Sequence, residues 1–270
     1  MTTHVDTLVS DNLRATISAD PQIGAGNFLR TAMQVNSKLD DPILFLQLPL
    51  QTPWGAYQTL SLNQIDNLSR KIASWYRKQG ISTGDPVAIY LDDGIEYLVH
   101  YLSLVILGAI PVLINGNMPA DLLEKYLERV QCRAIYSDEH HLPMLLRLRL
   151  KSEAPIFSLQ DIDPKATPLS NRDDYKHAAD DPIMIAHSSG TTGVPKAVIL
   201  EHEKFFYGIR YRLKFPRIHG GERILSSLPH SHNCAIAYLT LALLSGTPVF
   251  ICSDHSGAAV LKRSNPLDRP

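Results

Sequence analysis

Cysteine is scarce: Cys132, Cys234 and Cys252 are the three in 270 residues, an odd number without C-x-x-C spacing. That excludes a disulfide framework, and the three read as reduced, buried thiols of a cytoplasmic protein. No charge sign is in excess either. Twenty-six Lys and Arg stand against 27 Asp and Glu, a formal net charge of −1. Such a balance carries no electrostatic footprint for nucleic acid and no attraction to an anionic membrane. Glycine (15) and proline (18) are too ordinary for collagen, and a hydrophobic content of 44% is too high for disorder. The opening Met1-Thr-Thr-His-Val-Asp6 has no basic region followed by an apolar one, so no signal peptide is expected. Long hydrophobic runs are also few. Tyr97 to Ile114 approaches the length of a membrane span, but His100 interrupts it and Gly108 and Pro111 punctuate it. It divides into a buried helix followed by a buried strand.

What is present is alternation. Residues 1–56 form a lead segment with weak signals, short apolar runs such as Ile43 to Leu50 lying between prolines. From Tyr57 the pattern sharpens. Ser61 and Gln64 make an S-x-x-Q capping box, and Ile65, Leu68, Ile72 and Trp75 follow at helical spacing to a stop at Gly80. Strands are expected at Pro86 to Leu91, Ile110 to Ile114 and Ala134 to Tyr136, separated by helices at Ile95 to Leu107 and Ala120 to Val130. Residues 161–181 are rich in turn formers and read as a linker loop. Alternation then resumes through strands at Ile183, Ala197, Ile224 and Pro248 and helices at His202 and Ala235. The fold class is α/β, with mostly parallel sheets flanked by helices. The expected organisation is a first βα subdomain over 57–160, a second over 182–255, and a polar tail over 256–270.

The informative stretch is His187-Ser188-Ser189-Gly190-Thr191-Thr192-Gly193-Val194-Pro195-Lys196, between two short strands. Gly190 and Gly193 permit φ > 0 and let backbone N–H groups face one point, an anion-binding nest. Ser188, Ser189, Thr191 and Thr192 add hydroxyls, and Lys196 adds a mobile point charge. This chemistry suits a polyphosphate. The Walker pattern is not met, because Lys196 follows Pro195 and opens a strand rather than a helix. A flexible hairpin is the bland alternative, and ten positions of the right kind in order speak against it.

Ser-Ser-Gly-Thr-Thr-Gly-Val-Pro-Lys (188–196) resembles the phosphate-binding motif of the adenylate-forming enzymes, which include acyl-CoA synthetases, nonribosomal peptide synthetase adenylation domains and firefly luciferase. Gly84-Asp-Pro-Val-Ala-Ile89 resembles the family's G-D-x-V-A-I strand, Gly108-Ala-Ile-Pro-Val112 its G-A-x-x-x-P region, and Leu228-Pro-His-Ser-His232 its L-P-x-x-H element. The likeness covers about residues 55 to 255. It implies that a carboxylate attacks the α-phosphate of Mg2+–ATP, giving an acyl-adenylate and pyrophosphate. A thiol of coenzyme A or of a carrier-protein phosphopantetheine then takes the acyl group. On this resemblance Ser188, Ser189, Gly190, Thr191, Thr192, Gly193 and Lys196 hold the β- and γ-phosphates, Lys196 also steadies departing pyrophosphate, and His232 lies where acyl chain and α-phosphate meet.

Other features compete. His230, His232 and Cys234 form H-x-H-x-C, which on a strand would share a face as zinc ligands, but no second Cys or His pair completes a site. The same element also reads as a strand end with one structural histidine. Asn233 and Ala235 stand where the family favours glycine, and Ala197 where glycine follows its P-K. Lys204, Arg210, Arg212, Lys214 and Arg217 with Phe205, Phe206 and Tyr207 offer either a basic aromatic surface or a solvated helix face. His140-His141 lies in a polar loop and is given no role. The family's later motifs, with the Mg2+ ligand, the ribose-binding Asp and the C-terminal lysine, do not occur, so this sequence corresponds to roughly the first half of such an enzyme. Three functions follow: a ligase seen in part, a nucleotide- or pyrophosphate-binding module without catalysis, or a scaffold. Self-association of the chain is expected from strand edges left to pair.

Overall fold

The computed structural model describes residues 11–148, 150, 153–188, 193, 195–214, 223–254 and 256. Its helices are α1 (Asp11–Ala19), α2 (Phe28–Val35), α3 (Leu62–Lys78), α4 (Glu96–Leu107), α5 (Ala120–Val130), α6 (Leu142–Leu145), α7 (His202–Leu213) and α8 (Asn233–Ser245). The first five strands are β1 (Pro42–Thr52), β2 (Gly55–Ser61), β3 (Pro86–Leu91), β4 (Ile110–Asn115) and β5 (Ala134–Ser137). The remaining five are β6 (Ile156–Phe157), β7 (Pro182–His187), β8 (Ala197–Glu201), β9 (Ile224–Ser226) and β10 (Val249–Ile251).

Helix α3 begins where the sequence says it should. Ser61 accepts the Gln64 N–H and Gln64 returns a bond to the Ser61 N–H, so both halves of the capping box are made. Gly80 follows the helix at φ 81°. Helix α4 is buried all round, from Tyr97 to Ile106, which is what an apolar helix without a polar face must be. It ends at Gly108, whose φ of 72° and close approach to the Tyr175 ring both demand glycine. The run Tyr97 to Ile114 is thus α4 followed by β4, and no helix is long and apolar enough to cross a membrane among the described residues.

Among the described residues ten strands make two sheets, in the orders β2-β1-β10-β9 and β6-β5-β3-β4-β7-β8. Pairing is parallel except for the β1–β2 and β7–β8 hairpins. In the six-stranded sheet the two faces alternate residue by residue. Val87, Ile89 and Leu91 point into the main core with α3 and α4, whereas Ala88 and Tyr90 point into a second core with Leu123, Tyr126 and Leu127 of α5.

Sheet membership cuts across the chain divisions read from the sequence. Strands β7 and β8 extend the sheet of β3 to β6, while β9 and β10 join β1 of the lead segment and β2, which straddles its end. The lead segment itself is ordered into α1, α2 and β1. Its prolines misled the reading for a local reason: Pro49 lies where the β1–β2 register shifts between Phe45 and Leu50, a bulge that needs no proline N–H. Residues 161–181 contain no α-helix or β-strand, as expected, yet they are strapped down. Arg70 of α3 forks onto Asp174 at 2.7 and 3.1 Å and reaches Asp66 at 2.9 Å.

Candidate phosphate-loop site

The loop expected to grip phosphate leaves the C-terminal end of β7 and returns into β8. Its base is closed by the Ser188 N–H donating to the Lys196 carbonyl at 3.1 Å. Arg129 of α5 donates to the Pro195 carbonyl at 2.9 Å from outside. Gly193 sits at φ 110°, the backbone freedom for which glycine was read there. Lys196 is exposed and forms no ion pair among the described residues, so its ammonium faces solvent at the mouth of the loop. Ser189, Gly190, Thr191 and Thr192, with Val194, lie outside the described residues. The described part of the loop supplies a glycine at positive φ, a hydroxyl residue and one exposed cation at a strand end.

The second motif meets the first here. His232 caps α8 with extended backbone (φ −92°, ψ 138°), and its carbonyl accepts the Ala235 N–H at 3.0 Å. Its exposed ring lies 6.1 Å, centroid to centroid, from the ring of His187, the last residue of β7. His187 accepts the Asn115 N–H on Nε2 at 3.1 Å, and burial, with His232 nearby, holds its pKa below the ordinary range. It is therefore a neutral ring near pH 7, pinned to the end of β4.

The element Leu228 to His232 is a turn entering α8, not a strand, so the H-x-H-x-C residues do not share a strand face. His230 points away into the core. It is fully buried, its Nδ1 lies 2.9 Å from the Asp93 carboxylate, and its backbone N–H donates to the same carboxylate. Cys234 is exposed on α8, contrary to the expectation of a buried thiol, because it takes an outward position of the first helical turn. Among the described residues these three do not converge on a metal position. The basic aromatic surface is likewise divided. Phe206 and Arg210 are buried, Arg210 donating to the Ile23 carbonyl at 3.2 Å, and Arg217 lies outside the described residues.

Sequence reasoning missed Asp93 and gave His187 no role. The signal for Asp93 was local: Asp92-Asp93-Gly94 directly follows a buried parallel strand, where ligand-facing residues gather. A cavity of about 70 Å3 lies between Asp92, Asp93, Tyr97, Asn115, Gly116 and Ser231, joining the ends of β3 and β4 to the His230 turn. The Tyr97 hydroxyl, 2.6 Å from the Ile114 carbonyl and accepting the Leu91 N–H, fixes both strand ends.

Residues 32–265 match the AMP-binding enzyme family. A 3-aminoavenalumate diazotase from a Streptomyces species is 33% identical over 255 residues, covering 94% of this chain and 45% of that protein. The 4-coumarate–CoA ligase 1 of Petroselinum crispum is 24% identical over 207 residues, covering 72% and 38% respectively. In architecture the chain resembles the o-succinylbenzoate CoA synthetase of Bacillus subtilis, solved with its acyl-adenylate intermediate, at a TM-score of 0.72 and 18% identity over 87% of this chain and 58% of that one. The chain spans less than half the length of these two curated relatives. With its loop between β7 and β8 and the histidine turn set beside it, the chain belongs to the AMP-binding, adenylate-forming enzyme family.

Proposed function

We propose that this chain is the phosphate-gripping part of an ATP-dependent ligase that joins a small carboxylic acid to AMP, releases pyrophosphate, and passes the acyl group to a thiol. One observation carries the reading: the base of the phosphate loop and the His232 turn, 36 residues apart in sequence at Lys196 and His232, meet at the end of β7. Attack of a carboxylate oxygen on the α-phosphorus forms a P–O bond and breaks the bond to the β-phosphate. Negative charge therefore grows on the leaving pyrophosphate. Lys196, the hydroxyls of Ser188, Ser189, Thr191 and Thr192, and the N–H groups of Gly190 and Gly193 neutralise that charge and hold the leaving group in line. His232 lines the place where acyl chain and α-phosphate meet, backed by the neutral ring of His187. Mg2+ bound with the nucleotide supplies further charge neutralisation, and its carboxylate ligand is expected outside these 270 residues. The acceptor thiol is that of coenzyme A or of a carrier-protein phosphopantetheine, and the compartment is the cytoplasm.

A second reading rests on the diazotase, which is 33% identical where the CoA ligase is 24% identical. On that reading the substrate is an amino-substituted acid and the product a diazo compound rather than a thioester. Carboxylate-dependent ATP–pyrophosphate exchange in the longest protein carrying this sequence tests the first reading. The second needs nitrite as the source of the second nitrogen, its oxygens leaving on AMP and as water, and is tested by nitrite-dependent exchange. Carboxylate-dependent exchange that falls by about two orders of magnitude in Lys196→Ala supports the carboxylate-adenylating step, since one such contact is worth on the order of 3 kcal/mol. Unchanged exchange in that variant overturns the assignment. Product analysis with coenzyme A, or with an aromatic amine and nitrite, separates the two outcomes.

A further inference from the structure

The six-stranded sheet has a second place built to receive a ligand. From β3 the chain crosses through α4 to β4 on one side, then returns through α5 to β5 on the other side of β3. Connections therefore leave β3 and β5 in opposite directions, opening a crevice at their C-terminal ends, where open α/β sheets bind ligands. The phosphate loop is elsewhere, at β7 and β8.

This crevice is filled by metal-ligating groups. Asp92 follows β3, and the turn after β5 carries Asp138, His140 and His141. One ligand atom each from Asp92, His140 and His141 lies within 4.8 Å of the others. His140 Nδ1 is 3.0 Å from the Asp92 carboxylate, and His141 Nε2 is 3.8 Å from it. The Gly116 carbonyl after β4 accepts from His141 Nε2 at 2.9 Å and from the Tyr90 hydroxyl at 3.0 Å, so a cation replacing the Nε2 proton would meet this oxygen as a fourth ligand. The His141 ring is not free to turn. It is 7% exposed, edge-on to Tyr90 at 4.4 Å, with Nδ1 2.7 Å from Asp138 Oδ1. Asp138 is itself fixed by the N–H groups of Asp92 and His141. A carboxylate holding Nδ1 of an imidazole is the outer-shell arrangement of ligating histidines, and here Nε2 would exchange its proton, now shared with the Gly116 carbonyl, for the cation.

We propose that Asp92, His140, His141 and the Gly116 carbonyl bind one zinc-type divalent cation, with Asp138 positioning His141. Two imidazoles and two oxygens suit Zn2+ and disfavour Mg2+. Tetrahedral Zn2+ spaces its ligand atoms about 3.3 Å apart, given bonds of roughly 2.0 Å. The wider spacing here closes by rotating His140, whose side chain is 72% exposed. The cation clips the ends of β3, β4 and β5. Through Gly116 it also braces Asn115, whose N–H holds His187 at the start of the phosphate loop.

The untagged chain, stripped with chelator, is titrated with Zn2+ and separately with Co2+, whose visible absorption reports tetrahedral ligation. One equivalent of each is expected to bind, undisturbed by excess Mg2+. His140→Ala, an exposed change that leaves the circular dichroism spectrum intact, should weaken binding by about 100-fold or more, and Asp138→Asn by about 10- to 100-fold. Lys196→Ala should bind as the unaltered chain does. Two results overturn the site: a folded chain that takes up neither ion stoichiometrically, or equal affinity in His140→Ala.

Discussion

Asp93 receives His230 twice, taking the backbone N–H on one carboxylate oxygen and the ring Nδ1 on the other at 2.9 Å, across 137 residues of sequence. The pair locks the histidine turn to the end of β3 and leaves the neighbouring His232 to face the loop. A buried polar partner removed from such a pair costs about 1–3 kcal/mol. His230→Ala and Asp93→Ala are each expected to lower the unfolding free energy by that amount, read as a lower urea midpoint at an unchanged m-value. A midpoint equal to that of the unaltered chain in both variants would show that the pair does not hold the turn.

His232 should behave differently because its ring is exposed. His232→Ala is expected to leave the unfolding free energy from urea titration within about 0.5 kcal/mol, the ordinary range of surface changes. In the adenylating protein it should reorder preference among carboxylic acids, read as kcat/KM for a panel of acids. An unchanged order would remove His232 from the acyl site.

Acid should unfold the chain earlier than its carboxylates require. Burial depresses His100 to about 3 and His177 to about 4, and lowers His187 and His202 as well. Each of these rings is held neutral in the fold, whereas the unfolded chain takes up a proton near pH 6.5. Their contribution is therefore intact above about pH 6.5 and is lost as pH falls toward the depressed values. Each group adds about 1.4 kcal/mol of loss per pH unit within its window. His100→Gln, which keeps a partner for the Tyr76 hydroxyl at 2.8 Å, should flatten the slope of unfolding free energy between pH 6 and 4. An identical slope would assign the acid sensitivity to other groups.

The outer edge of the six-stranded sheet is β8, where Val198 and Ile199 are 44% and 59% exposed. An apolar edge strand of this kind pairs readily with a second chain. Sedimentation velocity at several concentrations should show the 270-residue chain associating, and Ile199→Lys should shift it toward monomer. A monomer at every concentration would show that the edge is protected.

Much of this was legible in local pattern. The strand Pro86–Leu91 and the helix Ala120–Val130 emerged with the expected bounds, because β3 is a continuous apolar run and α5 a clean helical stripe. The capping box at Ser61 needed only two residues to be seen. Partnership was not legible. Nothing in Ile43 to Leu50 announces β10 as its neighbour, and nothing in Leu228 to His232 announces Asp93, because both contacts close very long loops. His140-His141 was passed over for the same reason: its meaning depends on Asp92 and Gly116, which reach it only through the sheet.

Strand β1 lies between β2 and β10, with Leu44 paired to Val249. On a ribosome the β1–β2 hairpin emerges early, but its other edge waits through the synthesis of roughly 200 further residues. At roughly 5–20 residues per second that is on the order of 10–40 s. Throughout that interval the nascent chain displays an unpaired apolar strand, an invitation to trigger-type chaperones and to neighbouring polysomes alike. The four-stranded sheet can therefore close only after β10 is made, so its completion lags the local β1–β2 hairpin by that interval.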